Sequence, residues 1–195
     1  MPTVLEAVMD APPLPHKLWT REDCAVLEKA GLIEAERYEL IEGELILKMG
    51  KKSPHMKAVM LLIEWLRSVY GGRLVAQEVS VDVRPDDNPT NEPEPDAIVL
   101  NRSFLEIPGL ARPEDLHLIA EVSSSSLTFD LTTKAWLYAR SGIAEYWVLD
   151  LAGRRLIIHR EPVHGLYRSV VAFSEEERVA TLGAPERDVR VGDFL

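Results

Sequence analysis

The chain has 195 residues and a formal net charge of −10, with 46% hydrophobic and 28% charged residues. This composition is ordinary for one soluble domain with a sizeable core, and no apolar run approaches the roughly 20 residues of a membrane span. The net negative charge disfavours extensive non-specific binding to nucleic acid, because proteins that bind many phosphates usually carry a basic surface. A local basic patch, or a cluster of acidic residues that holds a cation, remains compatible with it.

The first residues lack the basic start and apolar stretch of a secretory signal, and the prolines of PPLP predict an extended arm over residues 1–17. The lone Cys24 cannot form an internal disulfide, so we interpret it as a packed residue in a reducing, cytoplasmic setting. No internal repeat or long linker divides the chain. We therefore expect a single domain over residues 1–195.

The first predicted elements are a helix and a hairpin. Thr20 opens the helix, Asp23 completes a capping box three residues later, and Gly31 is a natural stop. The stretch YELIEGELILKM, residues 38–49, has Glu42-Gly43 between two apolar halves. That pattern predicts a short β-hairpin.

A long helix and a strand come next. Ser53-Pro54 predicts a helix start, apolar residues then recur at helical spacing, and Gly71-Gly72 ends the helix. Period-two alternation over residues 74–84 predicts a strand, which Pro85 terminates.

The second half of the chain alternates apolar strands with one helix. Strands are predicted for DAIVLN, LHLIAEVS, EYWVLD, RLIIHR and LYRSVVAF, and a helix for residues 130–140. From Pro54 onward the order is helix, three strands, helix, strand. We therefore expect an α/β fold with a central mixed sheet flanked by helices.

Two carboxylates fall in these apolar strands. Asp96 opens one strand after Pro95, and Glu121 lies inside LIAEVS on the face that also carries Ser123. Desolvating such charges is costly unless they are paired or bind a cation. The structural alternatives are a turn aspartate at a solvated strand end and a buried salt bridge made by Glu121.

Lys134 borders the apolar face of the predicted helix over residues 130–140, where it could reach back toward the sheet or extend into solvent as a surface lysine. Together, Asp96, Glu121 and Lys134 suit phosphodiester hydrolysis. Carboxylates hold Mg²⁺, which makes a bound water more acidic, while a lysine positions that water or stabilises oxygen charge. The metal ligands would be Asp96 and Glu121.

Several motifs resemble the Uma2 family, formerly described as a domain of unknown function, within the PD-(D/E)XK nuclease superfamily. They are YELIEGEL, the SPH of the helix start, PEPDAIVL, LIAEVSSSS and DLTTKAWLYARSGIAEYWVLD, and they cover about Tyr38 to Arg160. The resemblance implies a restriction-endonuclease-like core of the order αβββαβ, preceded here by the N-terminal helix and hairpin. It also implies that Asp96 is the PD aspartate and Glu121 the acid of the (D/E)XK motif.

The chain departs from the superfamily pattern at Ser123. The superfamily usually has its lysine two residues after the acid, which returns to the same strand face. Here that position is a serine, so the resemblance makes Lys134, on the following helix, the candidate lysine.

Three further side chains are secondary candidates, besides Ser123. Glu44 lies in the hairpin, His55 in the first turn of the long helix, and Gln77 among valines. A histidine near a helix start could contact phosphate or a metal-bound water, although such a residue is more often simply exposed.

A basic stretch around the start of the long helix could attract phosphates or could be a solvated loop. It comprises Lys48, Lys51, Lys52 and Lys57. We expect Lys51, Lys52 and Lys57 to contact nucleic acid.

The leading hypothesis is an endonuclease that uses Mg²⁺, or Mn²⁺, to hydrolyse DNA. The alternative is a catalytically inactive nuclease-fold module for binding or assembly, favoured by the acidic charge and by Ser123. A serine hydrolase using the SSSS run is a poor reading, since no G-x-S-x-G elbow is present. The aromatic residues Trp136, Tyr138 and Trp147 make a homodimer or higher homo-oligomer reasonable.

Overall fold

The computed structural model describes residues 16–48 and 53–195. Within these two ranges, six strands form the central sheet, and their spatial order is the same as their order in the sequence. They are β3 (Val75–Ala76), β4 (Ala97–Leu100), β5 (Leu116–Ser123), β6 (Glu145–Asp150), β7 (Arg155–Val163) and β8 (Leu166–Ser174). Two strands precede them in the sequence, β1 (Tyr38–Ile41) and β2 (Glu44–Leu47). Strands β5 and β6 are parallel and the other neighbours antiparallel, so the sheet is mixed as predicted.

The helices lie where the sequence places them, with small shifts at their ends. Helix α1 (Arg21–Lys29) has Thr20 as its N-cap and the capping box with Asp23, and α2 (Ser53–Tyr70) follows the hairpin β1–β2. The crossover from β5 to β6 is a continuous helical segment, residues 127–140, which begins three residues earlier than predicted. It comprises α3 (Leu127–Phe129), a π-helical turn (Asp130–Lys134) and α4 (Ala135–Arg140).

Both faces of the sheet are buried. On one face, Leu62 and Leu66 of α2 pack against Leu118, Ala120 and Trp147. On the other face, α4 packs against the alternate side chains of the same strands, among them Ile119, Tyr146 and Val148. The order α2, β3, β4, β5, α4, β6 therefore forms the predicted αβββαβ core, with the sheet between α2 on one face and α4 on the other.

The strand predicted over residues 74–84 is shorter than expected. Only Val75–Ala76 pairs in the sheet, and Glu78 has a φ of +51°, which an extended strand cannot contain. Val81 then forms an isolated parallel bridge with Ala111. Val75, Val81 and Val83 remain buried and Val79 is partly buried, but the chain leaves one side of the sheet and crosses to the other at Glu78.

The side chains of β5 lie on the predicted faces of the sheet, except at the start of the strand. Pairing with β4 shifts register between Val99 and Leu100, so that His117 is left as an extra residue on β5. Leu116 consequently packs on the side of Ile119 instead of with Leu118. Glu121 lies beyond this irregularity and keeps the predicted face, toward α4.

The aromatic residues that suggested self-association are mostly internal. Tyr138 and Trp147 are fully buried, while Trp136 is 52% exposed. Of the three aromatic residues on which the prediction of a homo-oligomer was based, only Trp136 is thus exposed for a contact between chains. In the described ranges, none of the helices combines the length and apolarity that crossing a bilayer requires. Of the predicted arm over residues 1–17, residues 1–15 lie outside the described part of the chain.

The turn of the β1–β2 hairpin is fixed on two sides. Gly43 donates its N–H to the Thr90 carbonyl and accepts the Trp19 N–H, both at 2.8 Å. Its φ is +76°, and a Cβ at this position would come within 2.7 Å of Leu18 Cβ. Glycine is required here because the hairpin must pack tightly while taking a left-handed turn.

We expect Gly43→Ala to lower the free energy of unfolding more than Gly31→Ala does. Both glycines have positive φ, but a Cβ at Gly31 would meet nothing within 4 Å. The shared backbone penalty is about 1–2 kcal/mol, and crowding at Gly43 adds about 1–3 kcal/mol. Urea unfolding of both variants measures the difference, and equal losses would contradict a tightly packed turn.

Candidate active site

The candidate site lies where β4 begins and β5 ends. Because these strands are antiparallel and Ala97 pairs with Ala120, the residue preceding β4 lies beside the end of β5. A pocket of about 120 Å³ opens here, also bounded by the hairpin and the π-helical turn; we call it the site pocket. Asp96, Glu121 and Lys134 all line it, so the structure brings the three predicted residues together.

Asp96 is held from two sides. Its Oδ2 atom accepts the Val122 N–H at 2.7 Å, and His55 Nε2 lies 3.4 Å from the same oxygen. The Asp96 and His55 side chains are each only 13% exposed. Asp96 is therefore not a solvated turn residue. His55 is not exposed either, because the first turn of α2 places it against Asp96.

Lys134 is buried between two carboxylates. Its Nζ atom lies 2.8 Å from Glu121 Oε1 and 3.0 Å from Glu39 Oε2, and the Tyr138 hydroxyl donates to Glu121 Oε1 at 3.3 Å. The Lys134 side chain is 5% exposed, which excludes the surface-lysine alternative. The salt-bridge alternative for Glu121 is thus realised, but with the lysine that the site prediction had named.

The pocket has more negative than positive charge. Among the described residues, its ammonium groups are those of Lys48 and Lys134, and it also contains His55. Its carboxylates are those of Glu39, Glu78, Glu94, Asp96, Glu121 and Asp130. Such an imbalance favours the binding of a further cation.

The pKa shifts follow from this imbalance. Burial raises the pKa of Glu121 well above its ordinary value, and the attraction of Lys134 opposes that rise only in part. Repulsion from the nearby carboxylates raises the pKa further. Burial alone would lower the pKa of Lys134, but Glu121 and Glu39 outweigh it, so the pKa of Lys134 lies above its ordinary value. Lys134 therefore stays protonated, and Glu121 is the group that a bound cation would help to ionise.

The π-helical turn carries Lys134 into the pocket. The Ala135 N–H donates to the Asp130 carbonyl five residues back, and the Tyr146 hydroxyl donates to the same oxygen at 3.1 Å. The Asp130 carboxylate accepts hydrogen bonds from Ser123 and, at 2.7 Å, from Ser126. Ser123, at the usual lysine position, thus anchors the turn from which Lys134 extends.

Four acidic residues of the pocket, Glu39, Glu78, Glu94 and Asp130, were not among the predicted candidates, and two of them contact the predicted residues or their supports. Glu39 contacts Lys134, and the alternation in YELIEGEL offered a signal for it, since Glu39 shares a strand face with the buried Ile41. Asp130 is also buried, but its sequence position resembles any acid near a helix start. Only the fold distinguishes Asp130 from an ordinary helix-terminal aspartate.

Other predicted candidates lie outside the site pocket. Glu44 is exposed on β2, Gln77 is exposed beside α2, and Lys57 is exposed with its Nζ atom 3.4 Å from the Leu195 carbonyl oxygen. Lys51 and Lys52 fall outside the described residues. From the basic stretch Lys48 does line the pocket, where it binds Glu94 at 2.7 Å.

The donor set suits a hard divalent cation. In residues 16–48 and 53–195, no three His, Cys, Asp or Glu side chains are grouped closely enough to hold a metal by themselves. Mg²⁺, however, commonly binds through one or two carboxylates and keeps several waters. Asp96 and Glu121, in an acidic pocket, satisfy that smaller requirement.

Comparison with known families matches residues 27–191 to the Uma2 model, described as "Putative restriction endonuclease". Among solved structures, the fold is similar to that of a protein from Anabaena variabilis ATCC 29413, described as "a putative nuclease belonging to DUF820". The TM-score is 0.66 with 18% identity, over 86% of this chain and 94% of the other. At this identity the likeness establishes the fold. None of the curated proteins matches the chain.

We expect Lys134→Met to destabilise the protein more than Glu121→Gln. The first change leaves Glu121 and Glu39 buried without their ammonium, at a cost of about 3–5 kcal/mol. The second leaves Lys134 paired with Glu39. Urea unfolding at neutral pH with EDTA measures both free energies.

Lys48→Met is the matched control, because it breaks the more exposed pair with Glu94 and should cost about 1 kcal/mol or less. If Glu121→Gln costs as much as Lys134→Met, the two carboxylates do not share the ammonium.

Proposed function

The chain belongs to the Uma2 family, and on that premise we propose that it is a metal-dependent endonuclease that hydrolyses phosphodiester bonds in DNA. The observation that carries the proposal is that Asp96, Glu121 and Lys134 line one pocket with excess negative charge. A phosphodiester is itself an anion, so hydrolysis in this pocket requires positive charge beyond that of Lys134 and Lys48.

Asp96 and Glu121 would hold Mg²⁺, for which Mn²⁺ could substitute. When bound, such an ion makes a coordinated water more acidic and neutralises phosphate charge. Asp96 is oriented for this role by the Val122 N–H and by His55. Glu121 is oriented by Lys134 and Tyr138, both of which contact Oε1.

Lys134 would act as a hydrogen-bond donor. An ammonium has three N–H groups, and two of them face Glu121 and Glu39. The third can donate to the attacking water or to a non-bridging phosphate oxygen. Since the pKa of Lys134 lies above its ordinary value, this residue does not serve as the base.

In the hydrolysis, a water oxygen bonds to phosphorus while one ester P–O bond breaks, and a water proton reaches the departing oxygen. The site residues would position the water and the phosphate in line and compensate the charge on the equatorial oxygens. Glu39 contributes indirectly by fixing the direction of the Lys134 ammonium.

The alternative is a catalytically inactive module that keeps the fold for binding or assembly. The pairing of Lys134 with both Glu121 and Glu39 favours it, since this network is already partly compensated without a metal. The two hypotheses differ in metal affinity, because the inactive module predicts none.

We expect the wild-type protein to cleave plasmid and single-stranded DNA with Mg²⁺ or Mn²⁺, and Glu121→Gln to lower the rate at least about a hundredfold. Glu44→Gln is the matched control, since Glu44 lies on the same hairpin as Glu39 but outside the pocket, and its rate should equal that of the wild type.

Titration calorimetry with Mn²⁺ provides the second measurement. The wild type should bind the ion and Glu121→Gln should bind it more weakly. Cleavage that survives Glu121→Gln would place the activity elsewhere, and a folded wild type with neither cleavage nor Mn²⁺ binding would support the inactive module.

A further inference from the structure

A larger groove adjoins the site pocket along α2. It has a volume of about 870 Å³, and its apolar wall comprises Met56, Val59, Met60 and Ile63. We call it the α2 groove. The volume falls within the range of roughly 300–1,000 Å³ typical of pockets that bind organic ligands.

The α2 groove shares two lining residues with the site pocket. His55 and Glu78 line both, and His55 is the residue beside Asp96. Met60 follows His55 by five residues on the same helix, an axial distance of about 7.5 Å. A phosphate at Asp96 and Glu121 would therefore place the nucleoside attached to it at the mouth of the α2 groove.

The wall of the α2 groove is unusually apolar for a surface. Met56 is 58% exposed and Met60 is 61% exposed, although the opposite side of α2 packs in the core. Methionine adapts its shape to its ligand and makes favourable sulfur contacts with aromatic rings. A nucleobase is a flat ring system that presents such a face.

The charges of the α2 groove differ from those of the site pocket. Its lining contains Lys57 and Arg67 as well as Glu64 and Glu78, so the signs balance. In the site pocket, carboxylates outnumber ammonium groups. Phosphates next to the scissile one would accordingly meet less repulsion along the α2 groove than in the pocket.

We propose that the α2 groove binds an unpaired base next to the scissile phosphate, so that the substrate is single-stranded nucleic acid or carries a single-stranded segment. In a duplex the faces of each base are covered by its neighbours, whereas an unpaired base offers its face to an apolar wall. Gln77 lies at the same groove and can bond to a base edge. The proposal rests on the nuclease function and names its substrate class.

Binding is tested by fluorescence anisotropy with the full chain in Ca²⁺, a hard cation that also binds carboxylates. The probes are a short labelled DNA strand, the matching duplex, the RNA strand of the same sequence, and the DNA strand with abasic nucleotides. The expected result is binding of the single strand about tenfold tighter than of the duplex or the abasic strand. Comparison of DNA with RNA identifies the sugar preference.

The groove variant is Met56→Ser combined with Met60→Ser. It should weaken single-strand binding about tenfold, with unchanged duplex binding and an unchanged circular dichroism spectrum. Val26→Ser is the matched control, because Val26 is 62% exposed on α1, away from the α2 groove, and should leave binding unchanged.

Equal affinity for the intact, abasic and duplex probes overturns the proposal, as does unchanged single-strand binding by the groove variant. If that variant instead shifts the sedimentation coefficient from oligomer to monomer, the α2 groove is a protein contact. Base-dependent binding without Mg²⁺-dependent cleavage would leave the groove assignment standing and remove the nuclease function. Duplex cleavage that the groove variant leaves unchanged would support the nuclease function and remove the groove assignment.

Discussion

The candidate site depends on one buried ammonium that must compensate more than one carboxylate. Lys134 lies between Glu121 and Glu39, while Asp96 and Asp130 lie close enough to raise the pKa of Glu121 further. A single positive charge cannot balance this set in a largely dry environment. The pocket is consequently stable with its lysine protonated, and it remains electrostatically suited to a cation or to a proton on Glu121.

The surrounding fold supplies rigid supports for that arrangement. The sheet places Asp96 beside the end of β5 through antiparallel pairing, and the hairpin contributes Glu39. The π-helical turn contributes Lys134, with Ser123 and Asp130 bonded at its base. Groups held on paired strands and a packed helix keep their relative positions, which is the condition for preorganised electrostatic catalysis.

The proposed mode of substrate binding also agrees with the acidic character of the chain. A net charge of −10 argues against a protein that holds duplex DNA by its phosphates alone. In the proposed function, an acidic pocket would recruit a cation next to a groove lined by Met56 and Met60, which instead favours recognition of one phosphate and one base. Affinity would then come from the metal and from apolar contact, and less from a broad basic surface.

Much of this molecule follows from local pattern. Period two in LIAEVS predicted that Glu121 shares a strand face with Ser123, and the element order predicted the αβββαβ core, because alternation and helix capping are short-range effects. The sequence alone also singled out Asp96 and Lys134. Tertiary structure decided the rest. It made Glu39 rather than Glu44 the hairpin residue that contacts Lys134, since that choice depends on how the hairpin packs against α4. Local alternation indicates that Glu39 shares a face with Ile41, but it does not indicate which residue, distant in sequence, Glu39 will contact.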